Sequence, residues 1–122
     1  MLNHMVQYVD SPLDRSFAAL SDATRRGIID RLARADASIT SLADTFQMTL
    51  TGMKKHVQVL ERAGLVVTRK VGRVRTCQLG KRGLTAEAEW IDAHRKLFEA
   101  RFYALDQIIG EMKQEESDGS SS

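Results

Sequence analysis

Residues 38–66 read SITSLADTFQMTLTGMKKHVQVLERAGLV, and this stretch decides the fold. Thr40 or Ser41 is positioned to cap a short helix carrying Leu42, Ala43 and Phe46. Gln47 and Met48 make a tight link. Thr49 then caps a second helix, whose apolar residues Met53, Val57, Leu60 and Ala63 recur at helical spacing and form its buried face. Gly64 follows the last turn and stops it. Two short helices joined by about three residues, the second capped and basic, are the outline of a helix-turn-helix.

Downstream the period changes from helical to alternating. LVVTRK (65–70) and RVRTCQL (73–79) are strand-like runs bracketing Val71-Gly72, where the glycine supplies a positive φ for a hairpin tip. A basic hairpin directly after a helix-turn-helix is a wing. Upstream, Leu13, Phe17 and Leu20 share one face of a short helix. Asp22 caps another, with an apolar stripe of Ile28, Ile29, Leu32 and Ala33.

From Leu84 to Lys113 there is no proline, and no glycine before Gly110. A helix of that length spans about 45 Å. Phe98, Phe102, Leu105, Ile109 and Met112 make a heptad-like seam, widened by Trp90, Leu97, Ala104 and Ile108. One small domain cannot easily cover so long a stripe. A second copy of the chain, with Leu13, Phe17 and Leu20 joining in, covers it most simply; a helix lying across its own domain is the other reading.

The chain has 122 residues, 43% hydrophobic and 28% charged, which fits one compact domain with a core of its own. Expected boundaries are a flexible arm over 1–12, the folded domain over 13–113, and a disordered polar tail over 114–122. No run is long and apolar enough for a membrane span, and the first ten residues lack a secretory pattern, so a cytoplasmic location is expected. The single cysteine, Cys77, excludes an internal disulfide and any multi-cysteine zinc site; it reads as a small half-buried strand residue. The net charge of +2 is unevenly spread: −1 over 1–53, +8 over 54–82, and −5 over 83–122. A basic middle third between neutral and acidic flanks is the footprint of a polyanion-binding face.

FAALSDATRRGIIDRLARA, SLADTF, MTLTGMKKHVQVLERAGLV and the VGRVRTCQL hairpin, followed by a long terminal helix, together resemble the ArsR/SmtB class of bacterial transcriptional regulators. The resemblance spans residues 13 to 112. It implies a mainly α winged helix-turn-helix with a small β-hairpin, dimerising through the first and last helices. It also implies a repressor that binds an inverted-repeat operator, often in its own promoter. One metal site of the family needs a Cys-X-Cys in the first helix of the motif, where this chain has SLADTF. A second pairs Asp-X-His with a later histidine and carboxylate. Asp92 and His94 match its first half, but Leu105 and Ile108 stand at the later positions. Two ligands are too few for a closed zinc site, so no metal and no cofactor are expected, and Asp92 and His94 read as a polar pair on the helix flank.

On the recognition helix, Leu50, Thr51, Lys54 and Lys55 project away from the apolar stripe and are candidates to reach base edges or phosphates. His56 matches a family position near the DNA, and a packing role fits it equally. The amides at Thr40 and Ser41 are offered to a phosphate. Thr49 and the wing residues Arg69, Lys70, Arg73 and Arg75 complete the set expected along the duplex. Double-stranded DNA and a second copy are therefore the expected partners, and the residues single out no effector. Two alternatives stand beside this reading: a winged-helix protein-interaction module that does not bind DNA, and a metal-responsive repressor with an atypical site. An enzyme is disfavoured, because there is no Gly-rich phosphate loop and no recognisable nucleophile–base pair.

Overall fold

A computed structural model of the protein describes residues 11–120. Residues 1–10 of the arm expected over 1–12 lie outside them, as do Ser121 and Ser122 of the expected tail. The described residues form two compact units, divided between Glu87 and Ala88.

In the first unit, α1 (Pro12–Leu20) begins at the expected end of the arm. Ser11 Oγ accepts from the Asp14 amide, and Pro12 occupies the first turn, where its missing N–H costs nothing. Its inward face is Ser16 and Ala19; Leu13, Phe17 and Leu20 flank that face and are half-buried. Helix α2 (Ala23–Leu32) is capped by Asp22, whose carboxylate accepts from the Arg25 amide at 3.0 Å. Ile28 and Leu32 are buried, while Ala33, expected in the same stripe, is exposed at the C-cap.

Strand β1 (Ala37–Ser38) leads into α3 (Ile39–Thr45), and α4 (Leu50–Arg62) follows after the turn. The cap of α3 is Ser38, not Thr40 or Ser41: Ser38 Oγ accepts from the Ser41 amide at 3.0 Å. The helix starts earlier than expected because Ile39 is buried with Leu42 and Ala43, which draws it into the first turn. Thr49 caps α4 as expected, accepting from the Gly52 amide at 3.0 Å. Met53, Val57, Leu60 and Ala63 are all buried in the core that joins α1–α4 to the sheet. Gly64 ends the helix with a φ of +75°.

Strands β2 (Val66–Val71) and β3 (Val74–Leu79) form the expected hairpin, with Gly72 at φ +62° at its tip. The sheet nonetheless has three strands, in the order β1-β3-β2. Ala37 pairs with Cys77 and Ser38 with Thr76 along the edge of β3 that β2 leaves open. A strand of two residues has no period to read, so only the folded chain exposes it. Helix α5 (Thr85–Ser120) continues past Lys113 through residues expected to be a disordered tail. Residues 114–120 contain no proline to break the helix.

Candidate nucleic-acid interface

The core stripe of α4 dictates what its opposite face presents. With Met53, Val57 and Leu60 buried, Thr51, Lys54, Lys55 and Gln58 are exposed. Their numbering follows the i, i+3, i+4, i+7 pattern of one helix face. Gln58 was absent from the sequence candidates, although its spacing from Lys54 and Lys55 marks it as their neighbour. Leu50, in the first turn, is 44% exposed. Thr49 is exposed as well, but its hydroxyl oxygen is committed to the helix cap.

All four wing candidates, Arg69, Lys70, Arg73 and Arg75, are exposed. Lys54 and Leu50 of α4, Thr40 of α3, and Lys70, Arg73 and Arg75 of the wing line one cleft of about 550 Å³. Lys54 and Arg75 also line a second cleft, shared with Thr51, Lys55 and Gln58. Residues from three separate stretches of chain thus come together on one basic surface. Ser41 is exposed but does not line this cleft, and its amide is already bonded to Ser38. A phosphate seat on that amide is therefore not available in this conformation.

Arg75 is held in place from below. Thr68 Oγ1 accepts from Arg75 Nη1 at 3.1 Å and donates to Glu61 Oε2 at 2.9 Å. This relay links the wing to the last turn of α4 and presets the direction of one wing cation.

His56 points the other way. Its Nδ1 accepts from Arg25 Nη1 at 3.3 Å and lies 3.8 Å from Asp22 Oδ2. Arg25 also donates to the carbonyls of Ala19 and Ala18, at 2.8 and 3.0 Å. The amide of Arg25 holds the Asp22 carboxyl below its ordinary value. His56 therefore ties the middle of α4 to the end of α1 and the start of α2, the packing role that the sequence left open.

Two side chains leave the basic surface or the chemistry altogether. Arg82, counted in the +8 stretch, turns inward onto Ser16, Ala63 and Glu87. Cys77 is not half-buried but fully buried, within the core cluster that its cross-strand neighbour Ala37 also joins. Burial pushes its thiol up to about 11, assisted by the nearby Glu61 carboxylate, which makes it a poor nucleophile or metal ligand.

In the second unit, the half-motif Asp92-X-His94 is engaged within the helix. Asp92 pairs with Arg95 at 2.8 Å and Lys96 at 3.1 Å, and the hydrogen bond from Arg95 lowers its pKa most. His94 Nδ1 donates to the Trp90 carbonyl at 2.8 Å, and its ring stacks on Trp90 at 3.8 Å. The two residues each bond elsewhere, so they are not a pair with one another. Among the described residues no cluster of His, Cys, Asp or Glu has the makings of a metal site. Along the same helix Trp90, Leu97, Phe98, Phe102, Ile109 and Met112 are exposed, with Leu105 partly covered. Phe98 and Phe102 meet edge-on at 6.5 Å.

A capped recognition helix, a basic wing and one cleft between them define a winged helix-turn-helix. A helix-turn-helix domain model matches residues 20–69. The HTH-type transcriptional regulator Rv2034 of Mycobacterium tuberculosis is 38% identical over 73 residues, which is 60% of this chain and 68% of that protein. The crystal structure of an ArsR family transcriptional regulator is 41% identical, with a TM-score of 0.67, and the match covers 72% of this chain and 91% of that one. A homodimeric winged helix-turn-helix DNA-binding domain from Mycobacterium bovis, solved in solution, is 25% identical with a TM-score of 0.58, over 72% of this chain and 82% of that one. The chain belongs to the ArsR family of transcriptional regulators. Its helix-turn-helix implies DNA binding, and regulators of this family are not enzymes. No helix among the described residues is long and apolar enough to cross a membrane.

Proposed function

We propose that the protein is a cytoplasmic, homodimeric repressor that binds an inverted-repeat operator, its own promoter being one such site. The observation that carries this reading is the shared cleft, which gathers Lys54, Lys70, Arg73 and Arg75 around the start of the recognition helix. Thr51, Lys54, Lys55 and Gln58 enter the major groove, where lysines bond guanine acceptors and Gln58 offers the amide pair that suits adenine. Leu50 meets a thymine methyl. Arg69, Lys70, Arg73 and Arg75 follow the flanking backbone or minor groove. Thr40 and Ser41 contribute side-chain hydroxyls to the backbone, and His56 acts by positioning α4.

The exposed apolar band of α5 supports the dimer, with Leu13, Phe17 and Leu20 of α1 as the flanking contribution. A family relative in the same fold is a homodimer in solution. Two-fold symmetry then presents two recognition helices to two half-sites, which is why the operator is an inverted repeat.

The test is DNA binding to the region upstream of the chain's own gene, measured across salt concentrations, with sedimentation to give the oligomeric state. A dimer neutralising about eight phosphates gives a log–log salt slope of about −7. Binding that ignores salt, or a chain that shifts no duplex, would instead favour a winged-helix protein-interaction module.

A further inference from the structure

One cation of the basic stretch spends its hydrogen bonds on the fold itself while staying partly exposed. Arg82, in the link between β3 and α5, uses all three of its guanidinium nitrogens. Nη1 and Nη2 grip the Glu87 carboxylate at 3.1 and 3.0 Å. Nε and Nη2 donate to the Ala63 carbonyl at 3.2 and 2.9 Å. Nη2 also reaches Ser16 Oγ at 2.7 Å, and Nη1 the Gly83 carbonyl at 3.1 Å.

The partners belong to three different elements. Ala63 is the C-cap of α4, and its carbonyl is one of the acceptors a helix end leaves without an intrahelical donor. Glu87 sits in the first turn of α5 and is 3% exposed. Ser16 belongs to α1 and is 1% exposed. Gly64 makes room for the contact: a Cβ there would lie 3.0 Å from Arg82 Nε. The glycine that ends the recognition helix is thus also the gap through which the guanidinium reaches it.

Glu87 is buried and Arg82 half-exposed, so desolvation of the carboxylate offsets much of the attraction and the pair's net contribution to stability is small. What a bidentate fork does supply is direction, since its hydrogen bonds weaken steeply away from linearity. We infer that Arg82 is a positioning residue for DNA binding: it anchors the C-terminal end of the recognition helix to α1 and to the base of α5, acting through the Ala63 carbonyl without touching DNA. The helix it anchors is about 20 Å long, so a small tilt at Ala63 displaces Thr51 and Lys54 from base edges at the other end. The inference rests on the DNA-binding reading above.

The test compares the wild type with the double variant Arg82→Met/Glu87→Met, using a duplex selected by the wild type from a random library. Removing both charges leaves no orphaned buried ion, so the variant is expected to stay folded, with a denaturant midpoint near that of the wild type, and to keep the same oligomeric state. It is expected to bind the selected duplex roughly tenfold more weakly, with an unchanged salt slope. Hydrogen exchange at the amides of Ala63, Gly64 and Leu65 should quicken. Arg82→Lys keeps the charge and loses the fork; it is expected to fall between the two, and it carries the comparison if the double variant does not fold. A folded variant that binds within about twofold of the wild type overturns the inference. So does a weaker binder with a shallower salt slope, which would place Arg82 on a phosphate. If the wild type selects no duplex at all, the DNA-binding reading fails and takes this inference with it; equal binding by wild type and variant strikes the inference alone.

Discussion

Arg82 and Glu87 meet as two forks, guanidinium nitrogens facing carboxylate oxygens at 3.1 and 3.0 Å. Hydrogen bonding from Arg82 outweighs burial and pulls the Glu87 carboxyl from its ordinary 4.5 to about 2. A carboxylate depressed in the folded state adds stability that is complete above its unfolded pKa and fades as pH falls through the folded one. The stabilisation from Glu87 should therefore hold above about pH 4.5 and be lost as pH falls towards about 2. Denaturant midpoints of the wild type and Glu87→Gln should converge across that window. Parallel curves would contradict the pairing.

Leu60 is fully buried at the centre of the face that α4 turns to the core. Leu60→Ala should cost about 2–5 kcal/mol, the sum of lost transfer energy and a residual cavity. Urea unfolding reads this directly, and a loss under about 1 kcal/mol would mean the site collapses freely.

Lys54 lines both clefts of the basic surface. If it neutralises a phosphate, Lys54→Ala in a dimer removes two such contacts and should flatten the salt slope by about 2, with similar losses on all sequences. If it reads a guanine, the slope holds, and the cost of about 1–3 kcal/mol appears only on the cognate duplex. Titrations on a selected and an unrelated duplex separate the two roles.

Cys77 is fully buried, with its thiol pushed up to about 11. Native protein should resist alkylation by iodoacetamide at neutral pH, while urea-unfolded protein reacts at once. Mass spectrometry of timed samples checks this. Rapid modification of the folded chain would show that the core does not enclose the thiol.

The helices and the wing were legible because their signals are local. Thr49, Asp22, Gly64 and Gly72 each act on a neighbouring amide or on their own φ, so residue type and position suffice. The Met53–Ala63 stripe was legible for the same reason: its period is a property of one helix. The recognition-helix candidates follow by subtraction, since what the stripe does not bury must face outward, whereas the wing candidates rest on the run of basic residues around Gly72.

What sequence could not supply was anything set by residues far apart in the chain. Ser38 displaced Thr40 and Ser41 as the cap of α3 because Ile39 is drawn into the core. Cys77 is fully buried because helices distant in the chain complete the core on its face of the sheet. His56 and Arg82 look like members of the basic face in one dimension, yet each turns to partners on other helices. By itself the sequence determined the order of the helices and the hairpin, the caps of α2 and α4, the core face of the recognition helix and a basic middle third. Only the tertiary structure decided which of those cations lie exposed on one surface and which turn to partners on other helices. Charge is a property of a residue, whereas its direction is a property of the partners that folding brings within hydrogen-bond reach.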